Sequence, residues 1–235
     1  MNNFDKITDQ YKLSHEKPDK KYSMLPTLVR LASPLENSTV LDLGCGDGFF
    51  TQELAKHYPR LVIGVDNSSA MLSQTNQTPN TVYMRRDIFH DALPLGNVAM
   101  APFVLNYPKN PKELSQVIGN ISRSVRGRFI GLIDMPTGCS PELTKKFGAT
   151  KKVDSYTDGS LIDINLYNQE DYICSLQSNY FSKETMEGKL YENGFSNVAW
   201  HTPLINQEGI EVMGEEFWAG YVDNCELAYF TAESY

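Results

Sequence analysis

Three glycines and one carboxylate carry the chemistry most legible in this sequence. In residues 40–50, VLDLGCGDGFF, Gly44, Gly46 and Gly48 follow a short apolar run. They let the backbone turn sharply and meet a ligand with no side chain in the way. Asp66 ends the next apolar run, LVIGV, where a doubly wound sheet presents an acidic residue to the hydroxyls of a ribose. A nucleotide-type cofactor with a free sugar is the ligand this pair suits. A dinucleotide fingerprint would place its third glycine where Phe49 stands, so no pyrophosphate cradle is expected.

The elements that must position these residues alternate. The patterning predicts strands over 40–43, 61–65, 81–85, 98–105 and 128–133, with helices over 49–57, from Ala70 to Thr75, and over 111–124. Continuous apolar strands alternating with helices imply a parallel sheet with right-handed crossovers. Beyond Asp134 the rhythm changes. Residues 136–160 read as a loop with a short helix, then two antiparallel strands run through Leu161–Leu166 and Tyr172–Leu176. A helix from Ser182 to Gly194 and strands over 195–202 and 225–231 complete the chain. The expected fold is α/β: a Rossmann-like, seven-stranded, mostly parallel sheet with helices on both faces, an antiparallel C-terminal strand and an N-terminal lid. It divides into a helical lid (1–30), a cofactor-binding half (38–134), an insertion or cap (135–170) and the C-terminal half of the sheet (171–235).

Composition bounds the function. The chain has 235 residues with a net charge of −8, and its basic pairs Arg85-Arg86 and Lys151-Lys152 are short, so nucleic acid is not an expected partner. Apolar residues never run long enough to cross a bilayer, and no membrane partner is expected. The opening MNNFDKITDQYKLSHEK is too polar for a signal peptide and too acidic for a transit sequence, which points to the cytoplasm. Cys45, Cys139, Cys174 and Cys225 are scattered, with no metal-ligand spacing, so neither a metal nor a disulfide framework is expected.

VLDLGCGDGFF resembles motif I of the class I S-adenosylmethionine-dependent methyltransferases, and IGVDNSSAML resembles their second motif. The likeness continues through MRRDIFHDALP and through the fourth strand, helix and fifth strand. The outer segments YKLSHEKPDKKY and 180–224 are similar to small-molecule methyltransferases of the toxoflavin synthase kind. The resemblance implies S-adenosylmethionine as cofactor and S-adenosylhomocysteine as product. The backbone of Gly44, Cys45 and Gly46 would hold the amino-acid end and Asp66 the ribose, with Asp42 and Asn67 also among the cofactor-binding residues. Asp87 would face the adenine amino group, Met71 and Ile88 would flank the ring, and Ala101 and Phe103 would lie beside the sulfonium. Tyr11, on the lid, would close over the cofactor. For Met71, Ile88 and Tyr11 plain packing is the alternative, and Asp42 could simply organise the loop.

Asn106 and Tyr107, past the fourth strand, and Asp134, ending the fifth, fall at the ligand edge of such a sheet and are expected to face the acceptor. Phe217, Trp218 and Tyr221 are spaced for one helical face, as core or interface or else as an aromatic acceptor platform in which Trp218 would meet the substrate. Methyl transfer needs alignment more than a dedicated residue; if a general base is used, Tyr11, His15 and Asp134 are the candidates. The acceptor expected is a small aromatic or N-heterocyclic metabolite, methylated on N or O by a monomer or homodimer. The rival readings are an NAD-dependent oxidoreductase or epimerase and a non-catalytic cofactor-binding module.

Overall fold

The computed structural model describes residues 4–234; Met1, Asn2 and Asn3 of the expected lid, and Tyr235, lie outside the described residues. The N-terminal segment holds α1 (Phe4–Lys12), a short 3-10 turn, a π-helical turn at Lys20–Met24 and α2 (Leu25–Ala32). A β/α succession follows: β1 (Thr39–Leu43), α3 (Phe49–Ala55), β2 (Leu61–Asp66), α4 (Ser69–Leu72), β3 (Thr81–Arg85), β4 (Gly96–Pro102), α5 (Pro111–Ser122) and β5 (Val125–Asp134). Next come α6 (Pro141–Lys145), β6 (Ala149–Val153), β7 (Leu161–Asn168) and β8 (Asp171–Asn179). The chain closes with α7 (Lys183–Glu192), β9 (Phe195–His201), α8 (Gln207–Met213), α9 (Glu215–Trp218), α10 (Tyr221–Asn224) and β10 (Leu227–Ser234).

Seven strands form one sheet in the order β3-β2-β1-β4-β5-β10-β9. The first five are parallel, and β10 runs antiparallel to both β5 and β9. Successive residues of a strand face opposite sides, and the core divides accordingly. Leu41, Leu43, Phe129 and Ile133 pack on the side of α5 and α7, whereas Val40, Ile130 and Leu132 pack with Leu28, Leu31 and Leu54 of α2 and α3. Local chemistry sets the helix starts. Asn110 accepts hydrogen bonds from the amides of Lys112 and Glu113, with Pro111 opening α5, and Ser182 accepts from the Thr185 amide to open α7.

The expected seven-stranded α/β sheet is present, with three differences in detail. β4 stops at Pro102 instead of Leu105, because Phe103 takes a left-handed conformation (φ +64°) that strand geometry excludes. Residues 136–160 contain a strand, β6, as well as the short helix. β6, β7 and β8 make a separate antiparallel sheet over its own core of Ile162, Ile164, Leu166, Ile173 and Cys174. Residues 171–179, expected in the main sheet, thus pair in this smaller sheet instead. Finally, Phe217, Trp218 and Tyr221 do not share one helix: the chain breaks at Ala219 and Gly220 between α9 and α10.

Candidate active site

At the carboxyl end of β1 the turn is built as its glycines suggest. Gly44 and Cys45 both donate their amides to the Val65 carbonyl, at 2.8 and 3.0 Å, and Gly48 donates to the Cys45 carbonyl at 2.9 Å. Gly44 (φ +72°) and Gly46 (φ +56°) are left-handed, a region glycine enters without strain. A Cβ on Gly44 would strike Val104 at 2.6 Å, whereas one on Gly46 would meet nothing within 4 Å, so open space stands over the turn there. Asp66 lies beside that space. Its Oδ2 accepts from the Gly46 amide (2.9 Å) and its Oδ1 from the Ser68 amide (2.8 Å), which locks the carboxylate between the two loops.

Beneath the turn, Asp42 is buried and accepts from the Thr51 hydroxyl at 2.6 Å through Oδ2. Its Oδ1 is buried with no hydrogen-bond partner. Burial, opposed by the Thr51 hydrogen bond, pushes the carboxyl up to about 7. Cys45 is buried as well, and burial raises its thiol well above the usual range, which suits packing and not nucleophilic attack.

The other residues expected at the cofactor are dispersed around this turn. Met71 and Ile88 are buried, and Ile88 is part of the core beside β1 and β2. Asn67 is exposed, and its carbonyl accepts from Arg85 Nε. Asp87 is half-buried, accepts from the Phe89 amide and pairs with the exposed His90 imidazole at 2.8 Å; the hydrogen bond to Asp87 raises the His90 pKa. Ala101 is fully buried in β4, and Phe103 faces a cavity.

That cavity, about 770 Å³ with part of it open to solvent, lies between the N-terminal segment, the loops after β4 and β5, and the cap sheet. Tyr11, Phe103, Tyr107 and Phe147 give it aromatic walls, and Ile164, Leu166 and Leu176 of the cap supply aliphatic ones. Five of its polar side chains are charged, Lys17, Asp19, Lys20, Asp134 and Lys151, beside neutral ones such as Ser14, Gln177 and Ser178. Lys17 lies 3.5 Å from Asp19. Lys151 reaches Asp134 Oδ1 at 3.0 Å and donates to the Glu226 carbonyl at 2.6 Å, while the Ser178 hydroxyl lies 3.3 Å from Asp134 Oδ2. Burial pushes Asp19 up against the opposing pull of Lys17, and pushes the Tyr11 phenol well above its usual range.

The structure therefore brings Tyr11, Phe103, Tyr107 and Asp134 to one cavity, but not Asn106 or Trp218. Asn106 is fully buried and bonded to the backbone: its Nδ2 donates to the carbonyls of Asp134 and Asn179, and its Oδ1 accepts from the Asp134 amide. It stitches β5 to the cap. Trp218 does not line the cavity; it packs with Tyr22, Phe147 and Tyr221 and donates its indole N–H to the Gly209 carbonyl at 2.9 Å. His15 stacks on Phe49 with ring centroids 4.3 Å apart, and its Nε2 lies 3.4 Å from Asp47 Oδ1 without a hydrogen bond's alignment. Burial, with Lys20 and Lys12 adding to it, lowers its pKa to about 3. Sequence reasoning missed Lys17, Lys20 and Lys151 as site residues. The only signal was the charge-dense run HEKPDKK, whose central residues 17–20 are buried.

Residues 40–127 match the family model described as a methyltransferase domain. Among curated proteins, a trans-aconitate 2-methyltransferase of Rhodopseudomonas palustris is 34% identical over 87 residues, 35% of this chain and 34% of that protein. A malonyl-[acyl-carrier protein] O-methyltransferase of Legionella pneumophila is 54% identical over 39 residues, 16% of this chain and 14% of that protein. The chain thus spans about a third or less of the curated relatives it matches. Whole-chain likeness comes from solved structures. A putative S-adenosylmethionine-dependent methyltransferase from Listeria monocytogenes aligns with TM-score 0.63 at 18% identity, covering 95% of this chain and 98% of that one. Magnesium protoporphyrin IX methyltransferase from Synechocystis, with S-adenosylmethionine bound, aligns with TM-score 0.57 at 16% identity, covering 100% and 86%. Residues 40–127 therefore match a methyltransferase domain, and the whole chain shares the fold of solved S-adenosylmethionine-dependent methyltransferases, with the strand order and the turn after β1 described above.

Proposed function

We propose that this protein moves the methyl group of S-adenosylmethionine to a small molecule seated in the cavity beneath the cap. The observation that carries the reading is the open turn at Gly46 with Asp66 beside it, together with an aromatic-walled, partly open cavity. S-adenosylmethionine, when bound, supplies a methyl carbon already activated by positive sulfur. The residues of the chain then align the acceptor and keep water out. In this reading the backbone of Gly44, Cys45 and Gly46 holds the amino-acid end, and the unpartnered Asp42 Oδ1 is an acceptor suited to its ammonium. Asp66 and Asn67 take the ribose hydroxyls, Asp87 the adenine amino group, and Met71 and Ile88 the faces of the ring. Ala101 and Phe103 line the approach to the sulfur, and Tyr11 closes the site from above.

Tyr11, Phe103, Tyr107 and Phe147 favour a planar acceptor, an aromatic or N-heterocyclic metabolite methylated on N or O. Asp134, shielded from solvent on the cavity wall, is in this reading the group that orients it or takes its proton. No helix among the described residues is long and apolar enough to cross a membrane, in keeping with a cytoplasmic enzyme. Calorimetric titration with S-adenosylmethionine, S-adenosylhomocysteine and NAD tests the reading. Micromolar binding of the first two and none of NAD is the expected result. NAD binding alone, or none at all, would overturn it.

A further inference from the structure

The cavity holds three ammonium groups and two carboxylates, and they do not pair off completely. Lys17 has Asp19 and Lys151 has Asp134 within ion-pair distance. Lys20, 5% exposed, has no carboxylate that close among the described residues. The one hydrogen-bond partner of its Nζ among those residues is the Ser14 hydroxyl at 3.3 Å, while its backbone amide donates to Asp19 Oδ1. Otherwise its Nζ lies against the rings of Tyr11, Phe49 and Phe50, 4.9, 5.0 and 5.6 Å from their centroids. Aromatic faces attract a cation but do not neutralise it, and a buried ammonium without a counter-ion is costly to keep. Burial and neighbouring Lys17 push Lys20 down to about 7, against the longer-range pull of Asp47 and Asp19.

We propose that the acceptor bears a single carboxylate and that Lys20 Nζ is its counter-ion in the cavity. The proposal rests on the methyltransferase reading and deepens it by naming the acceptor's charge. Charge count supports a monoanion: with two of the three lysines paired, one positive charge is left to match. Location supports the acceptor over the cofactor as its source, since neither the glycine turn at residues 44–48 nor Asp66 lines this cavity, whereas Lys20 does. The aromatic walls then suit a flat ring carrying that carboxylate.

Benzoate and benzamide are the probes, shape-matched but differing in charge. Each is titrated into the full-length protein saturated with S-adenosylhomocysteine, and again into the protein alone, for wild type, Lys20→Met and Lys20→Arg. Wild type should bind benzoate at least about tenfold more tightly than benzamide, Lys20→Met should lose that preference, and Lys20→Arg should retain most of it. Affinity for S-adenosylhomocysteine should change less than about threefold in Lys20→Met. Equal binding of the two probes by wild type, or an unchanged preference in Lys20→Met, overturns the proposal. So does a loss of S-adenosylhomocysteine affinity in Lys20→Met with 5′-methylthioadenosine affinity intact, which would make Lys20 the counter-ion of the cofactor's own carboxylate. Failure of wild type to bind S-adenosylhomocysteine removes the methyltransferase reading instead, and the probe preference of the protein alone reports on Lys20 separately.

Discussion

At the scale of single residues, the site places two unusual costs in the fold, Asp42 and Lys20. Lys20 has a folded pKa near 7, against 10.5 for the free side chain. Its sign follows from linkage. Between pH 7 and 10.5 the unfolded chain binds more protons at this group than the folded one, so stability rises with pH across that window; the penalty is complete below pH 7. Lys20→Met should therefore raise the melting temperature, most at pH 6 and least near pH 10. A melting series across that range checks it, and destabilisation at pH 6 would contradict the burial cost assigned to Lys20. Asp66 is the residue on which cofactor affinity should depend most. Asp66→Ala removes two charge-assisted acceptors and should weaken S-adenosylhomocysteine binding by about 2–4 kcal/mol, read by calorimetry. It also frees the amides of Gly46 and Ser68, so a melting curve should accompany the titration.

At the scale of elements, the β1–α3 turn separates stability from binding at neighbouring glycines. Gly46→Ala costs the strain of a left-handed alanine, about 1–2 kcal/mol, with no clash, but puts a methyl into the space over the turn. It should lower cofactor affinity more than it lowers stability. Gly44→Ala carries the same strain and also drives its Cβ to 2.6 Å from Val104, so urea unfolding should show the larger stability loss. The reverse ranking in stability would mean that the turn is not held as described. The turn was legible because glycine spacing is a local property. The end of β4 was not, because Phe103 has a left-handed backbone that no residue type announced.

At the scale of the molecule, the cap is held to the sheet through buried polar groups. Lys151 of β6 and Ser178 of β8 both reach Asp134 at the end of β5, and Asn106 bonds the backbones of Asp134 and Asn179. Lys151→Met leaves Asp134 buried without its cation and should destabilise the protein by about 3–5 kcal/mol, read from urea unfolding. The double variant Lys151→Met/Asp134→Leu should recover most of that loss, since replacing both members of a buried pair is far cheaper than removing one. Hydrogen exchange should show the effect of the single variant concentrated in residues 149–179.

The sequence by itself determined the order of strands and helices from β1 to β5, the glycine turn and the carboxylate that ends β2. These depend on periodicity and on residues close along the chain, and local backbone physics is written locally. Tertiary structure alone decided that β8 pairs in the smaller sheet, that Asn106 and Trp218 stand outside the lining of the cavity, and that three lysines enter it. Such assignments join residues distant along the chain, as Lys151 to Asp134 and Asn106 to Asn179 show. A lysine in a polar run looks the same in sequence whether water or an aromatic cage surrounds it, and only the packing of the N-terminal segment onto Phe49 and Phe50 sealed Lys20 inside.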